Sequence, residues 1–274
     1  MARGKGFNIR KQPGFATLAV SCFAMLYLPI LLLVIYSFNA GNSIAIWEGF
    51  SWRWYQSAWA NEQVQEATVR SLIIALWASL IATTCAVLAA LATTRSRKFK
   101  GQGAVFAMIN QPLMVPEIVT AVALLIFFAM IKVATGYSGL LYLIIAHSAF
   151  CIPFAYLPIR ARLQGMDLSL EQAAADLYAT PFQVFRRVTL PQLWPGILAG
   201  AMLAFVISLD DVVITEFVKS AGQDTLPTYM LGQLRRVITP EINAISTVLI
   251  GVSVTMVIMF TLLSKMKTGP NNNT

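Results

Sequence analysis

The chain has 274 residues, of which 57% are hydrophobic and only 12% are charged, and its mean hydropathy is +0.68. This composition excludes a water-soluble globular domain and predicts a membrane protein. The net charge of +8 does not indicate a nucleic-acid partner, because basic residues beside membrane spans are attracted to anionic headgroups, so membrane lipid is the expected partner.

Six apolar stretches are long enough to cross the roughly 30 Å hydrocarbon core of a bilayer. They lie at residues 15–38, 67–93, 104–131, 138–160, 195–218 and 244–264. The sequence therefore predicts an all-α membrane protein with six transmembrane helices. We expect one transmembrane domain at 15–264, with tails at 1–14 and 265–274.

The basic residues predict the orientation of the chain. Of the 20 Lys and Arg residues, 14 fall on one side of the predicted spans. Because Lys and Arg concentrate in cytoplasmic loops, both termini and the loop at 161–194 are expected in the cytoplasm. The 14 residues are Arg3, Lys5, Arg10, Lys11, Arg95, Arg97, Lys98, Lys100, Arg160, Arg162, Arg186, Arg187, Lys265 and Lys267.

The first external loop is rich in tryptophan, with Trp47, Trp52, Trp54 and Trp59. Because indole rings favour the headgroup layer, we expect an interfacial helix near residues 51–61. An aromatic belt is favoured over a direct docking role, and both remain open. In the later external segment, 220–243, a short helix is expected after its first proline.

Carboxylates stand out inside the third and fifth spans. Glu117 lies in the third span, and Asp210, Asp211 and Glu216 lie in the fifth. A charged group at such depth costs about 2.5–3.5 kcal/mol on insertion scales, so intramembrane acids usually face a cavity or a pathway. Glu117 and Asp210 both lie roughly 20 Å along their predicted helices, at a rise of about 1.5 Å per residue. We therefore expect the acids to line a pathway for a cation.

Structural pairing of these acids is the alternative. They would then pair with Arg70 or Lys132, or stay protonated between helices. For Glu216, near the predicted outer interface, pairing and a pathway role are equally favoured. Pro112 and Pro116 are predicted to break the third span, because a proline in a helix frees backbone carbonyls.

The sequence offers no catalytic set. His147, in the fourth span, is the only histidine, and it is interpreted as a packed, hydrogen-bonded residue without a partner acid. The sequence contains no G-x-x-x-x-G-K-[ST] motif, so a phosphate-binding loop is not expected. We expect a non-catalytic membrane subunit without a metal site.

The longest polar interruption, residues 169–191, carries start signals for two short helices. Ser169 with Gln172 fits a capping box, in which a hydroxyl and an amide bond back to helix N–H groups. Thr180 with Gln183 repeats this pattern, and a proline follows Thr180 at the first helical position.

This loop resembles the signature loop of ABC-importer permease subunits, in which Glu-Ala-Ala is followed at fixed spacing by Gly and then by Ile-x-Leu-Pro. The matching positions are Gln172, Ala173, Ala174, Tyr178, Val188, Leu190 and Pro191. Gln172 replaces the family Glu, although Glu171 lies beside it, and Tyr178 replaces the family Gly. In a left-handed conformation a Tyr would cost roughly 1–2 kcal/mol. The resemblance implies that these residues form the coupling helix, which docks into an ATPase subunit.

Four runs resemble the putrescine/spermidine importer permeases, and the similarity extends over nearly the whole chain. They are Tyr36-Ser37-Phe38-Asn39, Pro116-Glu117-Ile118-Val119, Ser208-Leu209-Asp210-Asp211-Val212-Val213 and Pro240-Glu241-Ile242-Asn243-Ala244. The resemblance implies the type I ABC importer permease fold, the bacterial inner membrane and linear polyamines as substrates. It also implies a homologous second permease, two ATPase subunits that bind ATP and Mg, and a periplasmic binding protein.

Two other classes of protein are alternatives to an importer. A self-contained secondary transporter or cation channel would use the same acids, but such a protein often shows an inverted repeat, and none is visible. A membrane scaffold would leave the acids unexplained.

Overall fold

The computed structural model describes residues 14–44, 46–96, 99–236 and 239–267. Within these ranges the chain forms helices and one isolated β-bridge, between Asn39 and Phe50. In chain order the helices are α1 (Phe15–Tyr36), α2 (Arg53–Ala60), α3 (Glu62–Thr94), α4 (Gln102–Met114), α5 (Glu117–Thr135), α6 (Leu140–Gln164), α7 (Ser169–Asp176), α8 (Pro181–Val184), a π-helical turn (Phe185–Thr189), α9 (Leu190–Asp210), α10 (Val213–Val218), α11 (Leu226–Leu234) and α12 (Pro240–Lys267).

Six helical segments among the described residues are long and apolar enough to cross a membrane. They are Ala16–Tyr36, Glu62–Thr94, Glu117–Thr135, Leu140–Gln164, Pro181–Asp210 and Pro240–Met259. The prediction of an all-α protein with six transmembrane helices is therefore confirmed.

The third span is shorter than predicted, because the helix breaks before Pro116. The preceding residue, Val115, is extended (φ −101°, ψ 139°), as expected for a residue that a proline follows. The predicted break at Pro116 is thus confirmed. The predicted break at Pro112 is wrong, since Pro112 lies inside α4, which ends only at Met114.

The fifth span also breaks where a continuous helix was predicted. Helix α9 ends at Asp210, Asp211 is extended (φ −66°, ψ 134°), and the short α10 follows. At its other end, this span begins earlier than predicted, because α8 and the π-helical turn run into α9. The polar loop is therefore joined to the fifth span by continuous helix.

The described residues divide into two compact units, those of 1–61 with 233–250 and those of 62–232 with 251–274. In the first unit, buried Asn39 organises the loop after α1. Its Nδ2 donates to the carbonyl oxygens of Ser43 (2.8 Å) and Ile46 (2.7 Å). Its Oδ1 accepts from the backbone N–H groups of Gly41 (3.3 Å) and Glu48 (2.9 Å). The side-chain amide of Asn39 thus satisfies two backbone carbonyls and two backbone N–H groups of this loop.

Helix α2 confirms the predicted helix near residues 51–61. Within the first unit, Glu241 at the start of α12 accepts hydrogen bonds from Ser57 (3.4 Å) and Asn61 (3.1 Å) at the end of α2. Trp54 is buried and donates from its indole to the Gly41 carbonyl at 3.2 Å. These contacts give α2 a structural role within its own unit.

In the second unit, α3, α6 and α9 pack closely through small residues. On α9 these include Gly196, Gly200 and Ala204, each one turn apart and buried. A methyl group at Gly200 would lie 2.7 Å from the carbonyl oxygen of Ala155 on α6. Small residues let membrane helices approach to backbone contact. Helix α3 presents a similar stripe of fully buried alanines: Ala75, Ala78, Ala82, Ala86 and Ala90.

Several sequence predictions concern residues outside the described ranges. Among the 14 basic residues, these are Arg3, Lys5, Arg10, Lys11, Arg97 and Lys98. The cytoplasmic placement of both termini and the domain boundaries stay predictions.

Candidate functional site

Two helix breaks bring three of the predicted acids to one place in the second unit. Glu117 is the first residue of α5, directly after the break at Pro116, and Asp210 is the last residue of α9. Helix α10, after the second break, packs against α5. The carboxyl group of Glu117 lies next to that of Asp211. Glu117, Asp210 and Asp211 therefore form one group, which we call the acid cluster.

Asp211 is buried, with 2% of its side chain exposed. Its carboxylate accepts hydrogen bonds from the backbone N–H groups of Ile214 (3.4 Å) and Thr215 (2.9 Å) and from the Thr215 hydroxyl (2.8 Å). These amides belong to the first turn of α10 and have no intrahelical acceptor. Asp211 therefore caps α10 and fixes the direction in which the chain leaves the break.

His147 on α6 lies directly behind Asp211. Its Nε2 is 3.4 Å from Asp211 Oδ2 and 2.9 Å from the Thr215 hydroxyl, and its Nδ1 is 2.8 Å from the Ser208 hydroxyl. The prediction that His147 is packed and hydrogen-bonded is confirmed. The interpretation that it has no partner acid is wrong, because the fold brings Asp211 to it across 64 residues of chain.

A spacing in the sequence indicates how α6 meets α9. Small or polar residues recur every fourth position on both helices, which places them on one face of each. The contacting pairs run in antiparallel order: Ser208 with His147, Ala204 with Cys151, and Gly200 with Ala155. This register places His147 at the end of α9, where the break occurs.

The other two members of the acid cluster are more accessible. Asp210 is exposed and Glu117 is half-buried. Among the described residues, no ion pair joins the acid cluster to Arg70 or Lys132. Arg70 instead donates to the backbone carbonyl of Asp224 at 2.7 Å. In the same described ranges, no group of three or more His, Cys, Asp or Glu side chains is arranged to hold a metal ion.

Glu216 lies in a different electrostatic environment. Its carboxylate accepts a 2.6 Å hydrogen bond from Lys219, which also bonds Asp224 at 2.7 Å. Burial lowers the pKa of Lys219, but the hydrogen bonds and charges of Asp224 and Glu216 outweigh it, so the pKa of Lys219 is raised. The charge of Glu216 is thus already balanced within the chain.

The polar loop begins with a different cap from the one predicted. The predicted capping box of Ser169 with Gln172 is wrong, because the N-cap residue of α7 is Leu168, which makes no side-chain cap bond. The Asp167 carboxylate instead accepts the Ser169 N–H at 2.9 Å. A charged carboxylate is a stronger acceptor than the Gln172 amide oxygen, which would accept the same N–H in the predicted box, and this hydrogen bond lowers the pKa of Asp167.

Helix α7 ends at Asp176, and Tyr178, two residues later, is left-handed with φ 59°. The N–H of Tyr178 bonds the carbonyl of Ala175 (2.9 Å), and that of Ala179 bonds the carbonyl of Ala174 (3.1 Å). These two bonds define a Schellman motif, which usually has glycine at the left-handed position. Tyr178 thus adopts the conformation expected of the family glycine.

The second short helix has the cap that the sequence predicts. Thr180 and Gln183 form a capping box, with bonds of 2.9 and 3.4 Å, and Pro181 lies at the first helical position. The predicted box is confirmed.

Glu171 is turned inward rather than outward. Its Oε1 accepts from Arg95 at the end of α3 (3.2 Å from Nε) and from Thr189 in the π-helical turn (3.0 Å). This contact, which the sequence did not indicate, ties α7 to two membrane spans.

The remaining motif residues lie on or near the loop surface. Gln172, Ala173 and Pro191 are exposed, and Ala174, Val188 and Leu190 are half-buried. Large apolar side chains are exposed around them, namely Leu168, Leu170, Leu177, Tyr178 and Phe182. We call this the loop surface.

The sequence matches a known family and several named proteins. The model of the family "Binding-protein-dependent transport system inner membrane component" matches residues 80–266. The putrescine transport system permease protein PotI of Escherichia coli (strain K12) is 39% identical over 232 residues, which are 84% of this chain and 83% of that protein. The spermidine/putrescine transport system permease protein PotC of Haemophilus influenzae is 37% identical over 243 residues, which are 89% and 93% of the two chains.

The fold also matches a solved structure. A chain of a bacterial ABC transporter involved in the import of the acidic polysaccharide alginate superposes with a TM-score of 0.74. The match covers 92% of this chain and 94% of that one, at 16% identity. At this identity the likeness shows the fold alone.

Proposed function

We propose that this chain, which belongs to the binding-protein-dependent transport system inner membrane components, moves a cationic polyamine from the periplasm to the cytoplasm. It is a multi-pass protein of the bacterial inner membrane. Two relatives of 37–39% identity are named for putrescine or for spermidine and putrescine, which supports a polyamine such as these as the substrate.

The observation that carries the proposal is an acid cluster to which, among the described residues, no Lys or Arg is paired. Two helix breaks bring Glu117, Asp210 and Asp211 together, and in the described part of the chain only His147 pairs with them. Carboxylates offset part of the desolvation that an alkylammonium group suffers inside a membrane. In our proposal the cluster is the transient cation site, and Glu216 lies on the approach to it.

Neutralising the cluster tests the substrate pathway. We expect Asp210→Asn and Glu117→Gln to lower uptake of labelled putrescine or spermidine at matched membrane expression. Glu216→Gln should lower it less, because Lys219 already balances that charge. Glu66→Gln, an exposed acid outside the cluster, is the matched control. Wild-type uptake by both cluster variants would mean that the acids are structural.

The energy for transport is supplied, in our proposal, by ATP hydrolysis on a separate subunit that docks on the loop surface. Exposed apolar side chains on a loop that continues into the fifth span support this assignment. Ala173→Arg places a bulky charge on this exposed position and should uncouple ATP hydrolysis from uptake while the spans remain inserted. Concentrative uptake by the purified chain alone in liposomes, without nucleotide, would instead indicate a secondary transporter.

The working assembly in our proposal contains a homologous second permease, two ATPase subunits and a periplasmic binding protein. This chain itself is non-catalytic, and ATP and Mg belong to the ATPase subunits. The mass of the detergent-solubilised complex tests the assembly, and transport by an isolated monomer would contradict it.

A further inference from the structure

We propose that His147 is a positioning residue of the transport pathway: a neutral imidazole, protonated on Nε2, that holds Asp211 at the break between α9 and α10. The pathway role rests on the proposed function, whereas the hydrogen-bond assignment rests on the geometry alone. His147 and Asp211 are 1% and 2% exposed, so neither side chain has water as an alternative partner.

The Thr215 hydroxyl decides which nitrogen carries the proton. It lies 2.8 Å from Asp211 Oδ2 and 2.9 Å from His147 Nε2. A hydroxyl has one proton to donate, and an ionised carboxylate only accepts. Thr215 therefore donates to Asp211 and must accept from His147, which places a proton on Nε2. The same nitrogen lies 3.4 Å from Asp211 Oδ2.

Ser208 decides whether the ring is neutral. Its hydroxyl lies 2.8 Å from His147 Nδ1. In a charged ring, Nδ1 would donate, and the Ser208 proton would need another acceptor. The carbonyl one turn earlier, on Ala204, already accepts the Cys151 thiol at 3.4 Å and the helix N–H of Ser208. The network is complete only when Ser208 donates to an unprotonated Nδ1.

The consequence for transport lies in the break itself. His147 joins the last turn of α9, through Ser208, to the first turn of α10, through Thr215. This link holds Asp211 inward, where it caps α10, and leaves Asp210 exposed at the end of α9. His147 thus fixes how the two adjacent acids of the cluster are placed, with Asp211 held inward and Asp210 exposed, without itself touching the substrate.

Uptake measurements on two variants of His147 distinguish the effect of its hydrogen bonds from the effect of its size. His147→Leu keeps an apolar side chain of similar size and removes both bonds, whereas His147→Gln retains a donor and an acceptor. We expect His147→Leu to lower the maximal uptake rate about tenfold and to raise the apparent KM, and His147→Gln to stay within about threefold of wild type. Ser148→Ala is the matched control, because Ser148 is buried on the same helix and, among the described residues, its hydroxyl bonds the carbonyl of Ile144 one turn away.

A double variant tests whether His147 acts through Asp211. In an Asp211→Asn background, His147→Leu should lower uptake by less than about twofold, since coupled residues are not additive. Equal losses in His147→Leu and His147→Gln, or full additivity with Asp211→Asn, would overturn the positioning role.

The protonation state has a test that does not depend on transport. His147 is the only histidine of the chain, so the ¹⁵N-histidine NMR spectrum of the wild-type complex minus that of the His147→Gln complex isolates its ring. We expect one protonated nitrogen at Nε2 and one unprotonated nitrogen at Nδ1. An imidazolium pattern or the Nδ1-protonated tautomer would overturn the assignment. Wild-type uptake by Asp210→Asn would contradict the proposed function and leave this measurement unaffected.

Discussion

Replacing Tyr178 with glycine should stabilise the turn between α7 and α8. Tyr178 has φ 59°, a conformation that costs an L-residue roughly 1–2 kcal/mol. The residue is 96% exposed, so the replacement removes no packing within the chain. Glycine relieves the strain but loses about 0.5–1 kcal/mol more conformational freedom on folding. The expected net gain is about 0.5–1 kcal/mol in the stability of the turn.

Amide hydrogen exchange measures this gain at the bond that closes the turn. The N–H of Ala179, bonded to Ala174 at 3.1 Å, should exchange about threefold more slowly in Tyr178→Gly than in wild type. Tyr178→Ala is the matched control, because it removes the ring and keeps the strained conformation. Exchange of the Ala179 amide that is equally fast in the Gly and Ala variants would refute the strain argument.

The same two variants show whether the backbone conformation of Tyr178 or a contact of its ring matters for ATP-driven uptake. If an ATPase subunit docks on the Tyr178 ring, Tyr178→Gly and Tyr178→Ala should lower ATP-driven uptake equally. If the family glycine matters only for the turn, the Gly variant should match wild type.

Three further predictions concern the packing and the loop. Gly200→Ala places a methyl group 2.7 Å from a carbonyl oxygen of α6, so it should lower the free energy of unfolding by about 1–3 kcal/mol. Gly251→Ala is the control, because open space surrounds that position and the free energy of unfolding should not fall. Arg95→Glu and Glu171→Arg should each weaken coupling of ATP hydrolysis to uptake, and the double charge swap should restore part of it, because the two side chains are only 19% and 18% exposed. The hydrogen bond from Ser169 lowers the pKa of Asp167 below its ordinary value of 3.8. The carboxylate therefore caps α7 at neutral pH, and the cap is lost as the pH falls below 3.8 through the lowered pKa. Asp167→Ala should speed amide exchange at the start of α7 at pH 7.

The spans could be predicted because hydrophobic length is a local property. An unbroken apolar run of about 20 residues has few alternatives to a membrane helix. The helix breaks were harder. At Pro116 the proline is a local signal. At Asp211 the chain breaks because the carboxylate in the break, a histidine on α6 and a threonine on α10 satisfy one another.

The cap of α7 and the contacts of Glu171 could also not be predicted from the sequence, the cap because two local signals compete and the contacts because they join residues that are distant in the chain. Ser169 and Gln172 have the right spacing, but Asp167, two residues earlier, competes for the same N–H and is the stronger acceptor. Nothing in the local sequence indicates that Glu171 meets Arg95, 76 residues away. Pairings of this kind depend on which helices pack together, and periodicity alone does not specify that.

The arrangement of the acids explains why a cation site here would be weak. Glu117 and Asp211 lie side by side, and like charges repel strongly where water is scarce. A passing ammonium group would relieve this repulsion without needing a rigid cage. At Glu216 the negative charge is instead balanced permanently by the neighbouring Lys219. The acid cluster lacks such a lysine among the described residues, so its attraction remains available to a solute that must also leave.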